Sequence, residues 1–196
     1  MIKKCLNTLS NNLIKAVLKV TGTALFIMIV CSHTLYAQTA HKYVGVSTCA
    51  GICHKSGSQG NQYGIWKDSR HAQAYLTLQT EKADSIALSK GFNTSAAETQ
   101  ECLICHTTGK KINENEFRAS FDLSQGVQCE SCHGAGSSYS KLSVMKNTDL
   151  AVKNGLIVNK DKKAFCIKCH NSYSPTYFEF NYDPMWEMIA HPKSKE

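Results

Sequence analysis

Residues 126–136 read Gly126-Val127-Gln128-Cys129-Glu130-Ser131-Cys132-His133-Gly134-Ala135-Gly136. At the centre is a C-x-x-C-H, the pattern by which c-type haem is attached covalently. The two thiols add across the haem vinyl groups. The adjoining histidine then lies under the ring as the proximal iron ligand. Outward from this stretch the pattern recurs. Cys102-Leu103-Ile104-Cys105-His106 is a second copy and Cys166-Ile167-Lys168-Cys169-His170 another. Cys49-Ala50-Gly51-Ile52-Cys53-His54 is a copy with one extra residue between the thiols. One such motif arises by chance or as half of a zinc site. Three strict copies and one stretched copy specify four covalently attached haem c groups. The attachment residues are Cys49, Cys53, Cys102, Cys105, Cys129, Cys132, Cys166 and Cys169. The proximal ligands are His54, His106, His133 and His170.

The N-terminus reads as an export signal. Lys3, Lys4, Lys15 and Lys19 lie in a region without acid up to residue 37. The apolar run from Ala24 to Cys31 is short for a membrane span, which needs ~20 residues, and suits a signal-peptide core. Leu35-Tyr36-Ala37 offers a small residue for cleavage before Gln38. The expected division is a signal over 1–37 and a tetrahaem domain over 38–196. An uncleaved anchor and a lipoprotein modified at Cys31 are the alternatives, and the bulky Val30 disfavours the second. Cleavage removes Cys5 and Cys31, and the eight cysteines that remain all belong to the four motifs. Export to the periplasm fits haem attachment, which in bacteria takes place outside the cytoplasm, and does not fit a cytosolic zinc ribbon. No stable membrane span is expected after cleavage.

The chain carries a formal +7, with 22 basic and 15 acidic residues. The four signal lysines leave 18 basic against 15 acidic, or +3, and ionised haem propionates would turn the holoprotein negative. The charge therefore gives no argument for nucleic acid. Lys160, Lys162 and Lys163 read as a solvated loop, or as a docking site for an acidic redox partner. The expected fold is mainly α with long loops and little β. It is one small multihaem cytochrome domain, in which four macrocycles occupy much of the core that a chain of this length would otherwise fill with side chains.

Helical spacing from Gln62 through Tyr63, Trp66, His71, Ala74, Tyr75 and Leu78 predicts a helix carrying His71. Glu81–Lys90 continues as a second helix ended by Gly91. Ser95 with Glu98 reads as a capping box opening the helix that delivers Cys102 and Cys105. Alternation at Phe117, Ala119 and Phe121 suggests a short strand or hairpin arm. Gly126, Gly134 and Gly136 suggest close approach of backbone to a flat ligand. Asp149–Asn154 reads as a helix capped by Thr148 and stopped by Gly155. Asp183 and Pro184 open a terminal helix that Pro192 ends and that presents His191.

Four irons need eight axial positions, and the proximal histidines fill four. Beyond residue 37 only His41, His71 and His191 remain. At most three haems can be bis-histidine within one chain. His71 and His191 are the expected distal ligands. His41 is a distal candidate or a tail residue. Met145, in a polar stretch 12 residues after His133, is a thioether candidate, while Met185 and Met188 read as packing residues. An iron without a sixth ligand would admit a small molecule such as nitric oxide, nitrite, hydroxylamine or carbon monoxide.

These features resemble the cytochrome c-554 family of tetrahaem cytochromes. The resemblance rests on the first motif followed by Ile65-Trp66-Lys67-Asp68-Ser69-Arg70-His71-Ala72-Gln73-Ala74. It continues through Cys102–His106, Gly126–Gly134 and Cys166–His170, and closes on Tyr177-Phe178-Glu179-Phe180 and His191. It implies a helical periplasmic electron carrier with haems in closely stacked pairs, distal ligation by His71 and His191, and one open or weakly ligated haem at His106. Two features depart from the family. The first motif is stretched, and Leu142 stands where the family tends to place a distal histidine, so either Met145 or His41 substitutes or a second haem is open.

The expected function is electron transfer between redox partner proteins. No general acid/base pair or nucleophile–base arrangement is present. The alternatives are redox chemistry on a small nitrogen compound at an open haem, and a sensor or haem-wiring subunit of a larger oxidoreductase.

Overall fold

A computed structural model describes residues 41–109 and 113–192. The expected signal, its cleavage site, Cys5 and Cys31 lie outside the described residues. The architecture is mainly α: ten short helices, joined by loops and four single 3-10 turns, with one isolated bridge between Tyr43 and Phe117 as the β pairing among the described residues. No helix among them is long and apolar enough to cross a membrane.

The helices follow the attachment motifs. α1 (Val46–Cys49) ends on the first thiol of the stretched motif, and α2 (Ile52–Lys55) carries Cys53 and His54. The extra residue is thus absorbed at Ala50 and Gly51, between two helices. α5 (Gln100–His106) carries the second motif, and α6 (Cys129–His133) is the third motif itself. α9 (Lys162–Cys166) ends on Cys166, and the amides of Cys169 and His170 both bond back to the Cys166 carbonyl. The remaining helices are α3 (Gln62–Lys67), α4 (Glu81–Ser89), α7 (Leu142–Met145), α8 (Thr148–Lys153) and α10 (Tyr182–Glu187).

Several local expectations change. The helix from Gln62 stops at Lys67, and His71 lies in a run of turns, with Gln73 bonding to Arg70 and Ala74 to His71 at i→i−3 spacing. The cause is tertiary, because the His71 carbonyl also accepts the Val127 amide at 2.9 Å. Ser95 bonds Glu98 side chain to side chain at 2.8 Å, but this pair closes a turn, and α5 starts later with Thr99 as its N-cap. Phe117 and Phe121 form no strand; they stack at 4.2 Å between centroids, with Tyr43 against both. Asn147 rather than Thr148 caps α8, and Asn181 rather than Asp183 precedes α10.

Side-chain burial is sparse. Leu78, Ala87, Ala96 and Leu103 form one small cluster, with Tyr75 and Phe92 against it, joining α4 to the second motif. Large apolar side chains such as Leu142, Ile167 and Met188 are exposed. Polar pinning does much of the remaining work. The lead-in from His41 to Val46 is bonded residue by residue to the segment 116–138. Lys42 exchanges bonds with Ser137, Tyr43 pairs with Glu116 and Arg118, and Val44 to Val46 donate to Glu130 and Gln128.

Candidate haem and iron-ligand sites

The third motif is the hub. On one side Gly126 and Val127 receive the His71 segment. Val127 donates its amide to His71, and the Trp66 indole donates to the Val127 carbonyl at 2.8 Å. Gly126 has φ +68, and a Cβ there would come within 2.5 Å of the His71 oxygen. That glycine is therefore set by approach of chain to chain. Gly134 and Gly136 likewise face protein, at Gly155 with Ile157 and at Glu130 with Val44 respectively. At each of these three glycines a side chain would run into protein atoms, backbone at Gly126, backbone and side chain at Gly134, and side chains at Gly136.

The fold brings motif histidines against non-motif histidines. His71 and His170 have ring centroids 6.0 Å apart, and His133 and His191 are 5.9 Å apart. Two imidazoles bound to opposite sides of one metal, with bonds of about 2.0 Å, place their centroids about 6 Å apart. Both pairs are therefore spaced as two histidines that would share one haem iron. Burial depresses His71 below the ordinary imidazole value, with His170 adding repulsion. Burial does the same for His170, and for His133, where His191 and then His54 contribute. Burial lowers His191 as well. These neutral rings are the form that binds metal.

His106 is held differently. Its Nδ1 lies 2.8 Å from the Ala74 carbonyl and 3.1 Å from the Thr77 hydroxyl. Donation from Nδ1 leaves Nε2 for a metal, the usual outer-shell arrangement of a ligating histidine. His41 packs against Gly155 and bonds Ser138 through Nδ1 at 2.8 Å. Neither His106, His54 nor His41 forms a ring pair with another histidine among the described residues. Met145 is half-buried at the end of α7, and Leu142 is exposed. His170 also stacks on Phe180 at 4.8 Å, from the aromatic segment before α10.

No disulfide joins the eight described cysteines, and they meet between motifs. Cys49 hydrogen-bonds Cys129, which raises the Cys49 pKa and lowers that of Cys129. Cys105 hydrogen-bonds Cys169 and is lowered to about 7, while Cys169 is raised. Burial pushes Cys132 up to about 11, with Cys166 nearby adding to the shift. The first and third motifs therefore adjoin, as do the second and fourth. Among the described residues no three His, Cys, Asp or Glu side chains converge as a bare-ion site. The donors instead come as thiol pairs with a histidine and as opposed imidazoles, a set that fits haem c.

Two buried polar positions escaped sequence reasoning. Gln128 and Glu130 flank Cys129 and are each only 1% exposed. The available signal was that Glu130 is the one charged residue in 126–136.

This donor set defines a c-type cytochrome, a haem-based electron-transfer protein with covalently bound haem c. Residues 48–134 match the family model described as cytochrome c554 and c-prime. Over that span the chain is similar to the cytochrome c-554 family. No curated protein and no solved structure matches the chain. The fourth motif, with His170 and His191, lies beyond the matched residues.

Proposed function

We propose that this is a periplasmic tetrahaem cytochrome that passes electrons between redox partner proteins. The observation that carries the reading is the pair of opposed imidazoles at 6.0 and 5.9 Å, each joining one motif histidine to one histidine outside the motifs. In this reading His71 and His170 hold the fourth haem, and His133 and His191 hold the third. His54 and His106 are proximal at the first and second, with His41 and Met145 the candidates for a further axial position. Residues 1–37 act as the export signal and 38–196 form the haem domain.

Bound haem supplies a one-electron couple whose potential is set by axial ligand, burial and nearby charge. The chain's own part is positional. α5, α6 and the turn after α9 present thiols and histidine together. The Cys49–Cys129 and Cys105–Cys169 contacts support two close pairs of attachment sites, first with third and second with fourth. Short steps within each pair suit electron transfer. Val127 and Trp66 hold the His71 segment in register. Lys160, Lys162 and Lys163 are exposed, and Lys162 lies 4.9 Å over the Trp186 ring. That cationic edge beside the fourth motif suits an acidic redox partner.

A second reading, chemistry on a small ligand at an open iron, draws on His106, which has no imidazole opposed to it among the described residues. Spectra of the exported protein with carbon monoxide, followed by turnover assays with nitric oxide, nitrite and hydroxylamine, separate the two. Binding without turnover leaves electron transfer as the function.

A further inference from the structure

Glu130 occupies one of the two positions between the thiols of the third motif. Here it is 1% exposed. Its Oε1 accepts the amides of Val44 at 2.8 Å and Gly136 at 2.6 Å. Its Oε2 accepts Gly45 at 2.8 Å and Val44 again at 3.1 Å. Every one of these partners is a donor. An ionised carboxylate is acceptor-only, whereas a protonated one must give its own hydrogen to an acceptor, and none of these partners is one. The geometry thus selects the anion. Burial holds the pKa of this carboxyl above its ordinary value, and the amides of Val44, Gly136 and Gly45 offset only part of that rise. Successive amides converging on an anion form a nest, which satisfies a buried charge without a cation.

Gln128 extends the arrangement. Its Oε1 accepts the Val46 amide at 2.7 Å, and its Nε2 donates to the Asp122 carbonyl at 2.8 Å. Three consecutive amides, Val44 to Val46, are therefore gathered by the two residues either side of Cys129. Those amides lead directly into α1, which ends on Cys49. The ionisable neighbours of the carboxylate are Tyr43, Tyr139, Cys49 and Cys129, and its charge acts to raise all four, although Cys129 is lowered overall by its bond to Cys49. None of the four brings a positive charge.

Resting on the reading of the motifs as haem sites, we propose that Glu130 is a positioning and charge-setting residue. It clamps the first attachment segment to the third and holds a fixed negative charge beside Cys49 and Cys129. That charge favours the oxidised, more positive state of the two haems attached there and lowers their potentials.

The test compares haem-loaded wild type, Glu130→Gln and Glu130→Asp by haem content, thermal stability and optical redox titration. E130Q is expected to retain four haems and to move two of its four transitions to higher potential. E130D keeps the charge on a shorter arm, so it is expected to lose stability while its potentials stay near wild type. Unchanged potentials in E130Q overturn the proposal whatever happens to stability, as do E130D potentials that follow those of E130Q. Should E130Q load no haem, E130D decides alone: wild-type potentials support the charge-setting role and raised potentials overturn it. Loss of haem from all four sites in both variants overturns it too, since a local charge would not then be what the residue supplies. A wild-type protein without c-type haem refutes the underlying reading instead, and does so before any variant is made.

Discussion

Replacing Gly126 with alanine tests how the third motif holds the His71 segment. Gly126 has φ +68 and ψ −138, a region that side chains occupy at a cost of about 1–3 kcal/mol. The added Cβ would lie 2.5 Å from the His71 oxygen, 3.1 Å from the Ala72 oxygen and 3.2 Å from the Ala74 nitrogen. Ordinary contact begins at 3.4 Å, so the His71 backbone must retreat by about 0.9 Å. The bond from the Val127 amide to the His71 carbonyl, now 2.9 Å, is lost or lengthened, at about 0.5–1.5 kcal/mol. Together these give a destabilisation of about 2–4 kcal/mol. A retreat of that size is also large beside a metal–imidazole bond of about 2.0 Å. Ligation by His71 should weaken, and the reduced protein should bind carbon monoxide at one more haem than wild type. Denaturant unfolding and carbon monoxide titration of the exported protein read the two effects. Wild-type stability together with a wild-type carbon monoxide count would refute the reasoning.

Three other outcomes follow from the same geometry. His191→Ala removes the ring facing His133 at 5.9 Å, so carbon monoxide titration should find one added reactive haem; an unchanged count contradicts the pairing. Trp66→Phe keeps the ring but loses the donor to Val127, which should cost about 1 kcal/mol in denaturant unfolding, with no loss expected if that bond is immaterial. Tyr139 is 5% exposed, donates to the Gly134 carbonyl at 2.7 Å, and is raised by burial above its ordinary 10.0. The folded state then holds its proton more tightly, so stability from this group is full below about pH 10 and is lost as pH rises through the folded value. Unfolding midpoints measured from pH 9 to 11, at about those limits, should fall less steeply in Tyr139→Phe than in wild type, and equal slopes would contradict this.

The four motifs were legible because their pattern is local: thiols and histidine lie within about one turn of each other, and the spacing records it. The helical class and scarcity of sheet were legible for the same reason, since each motif carries its own short helix. His71 and His191 stood out by arithmetic, as histidines left over once the motifs had taken theirs. Which motif each one faces was not legible, because the contacts of His71 with His170 and of His191 with His133 span 99 and 58 residues. The end of α3 was hidden for a related reason. Helical spacing continues past Lys67, but the Val127 amide takes the His71 carbonyl from a position far along the chain. Gln128 and Glu130 were missed because their partners are backbone amides of Val44 to Val46, more than 80 residues away, and amides leave no mark in a side-chain pattern.

The central claim is that this chain carries four covalent haems, two of them closed by His71 with His170 and His191 with His133. The most direct measurement is haem content per chain of the exported protein, with optical spectra oxidised, reduced, and reduced under carbon monoxide. The account predicts four c-type haems, with a carbon monoxide shift amounting to no more than two of them. Fewer than four haems, no c-type band on reduction, or a shift that spans three or four haems would contradict it.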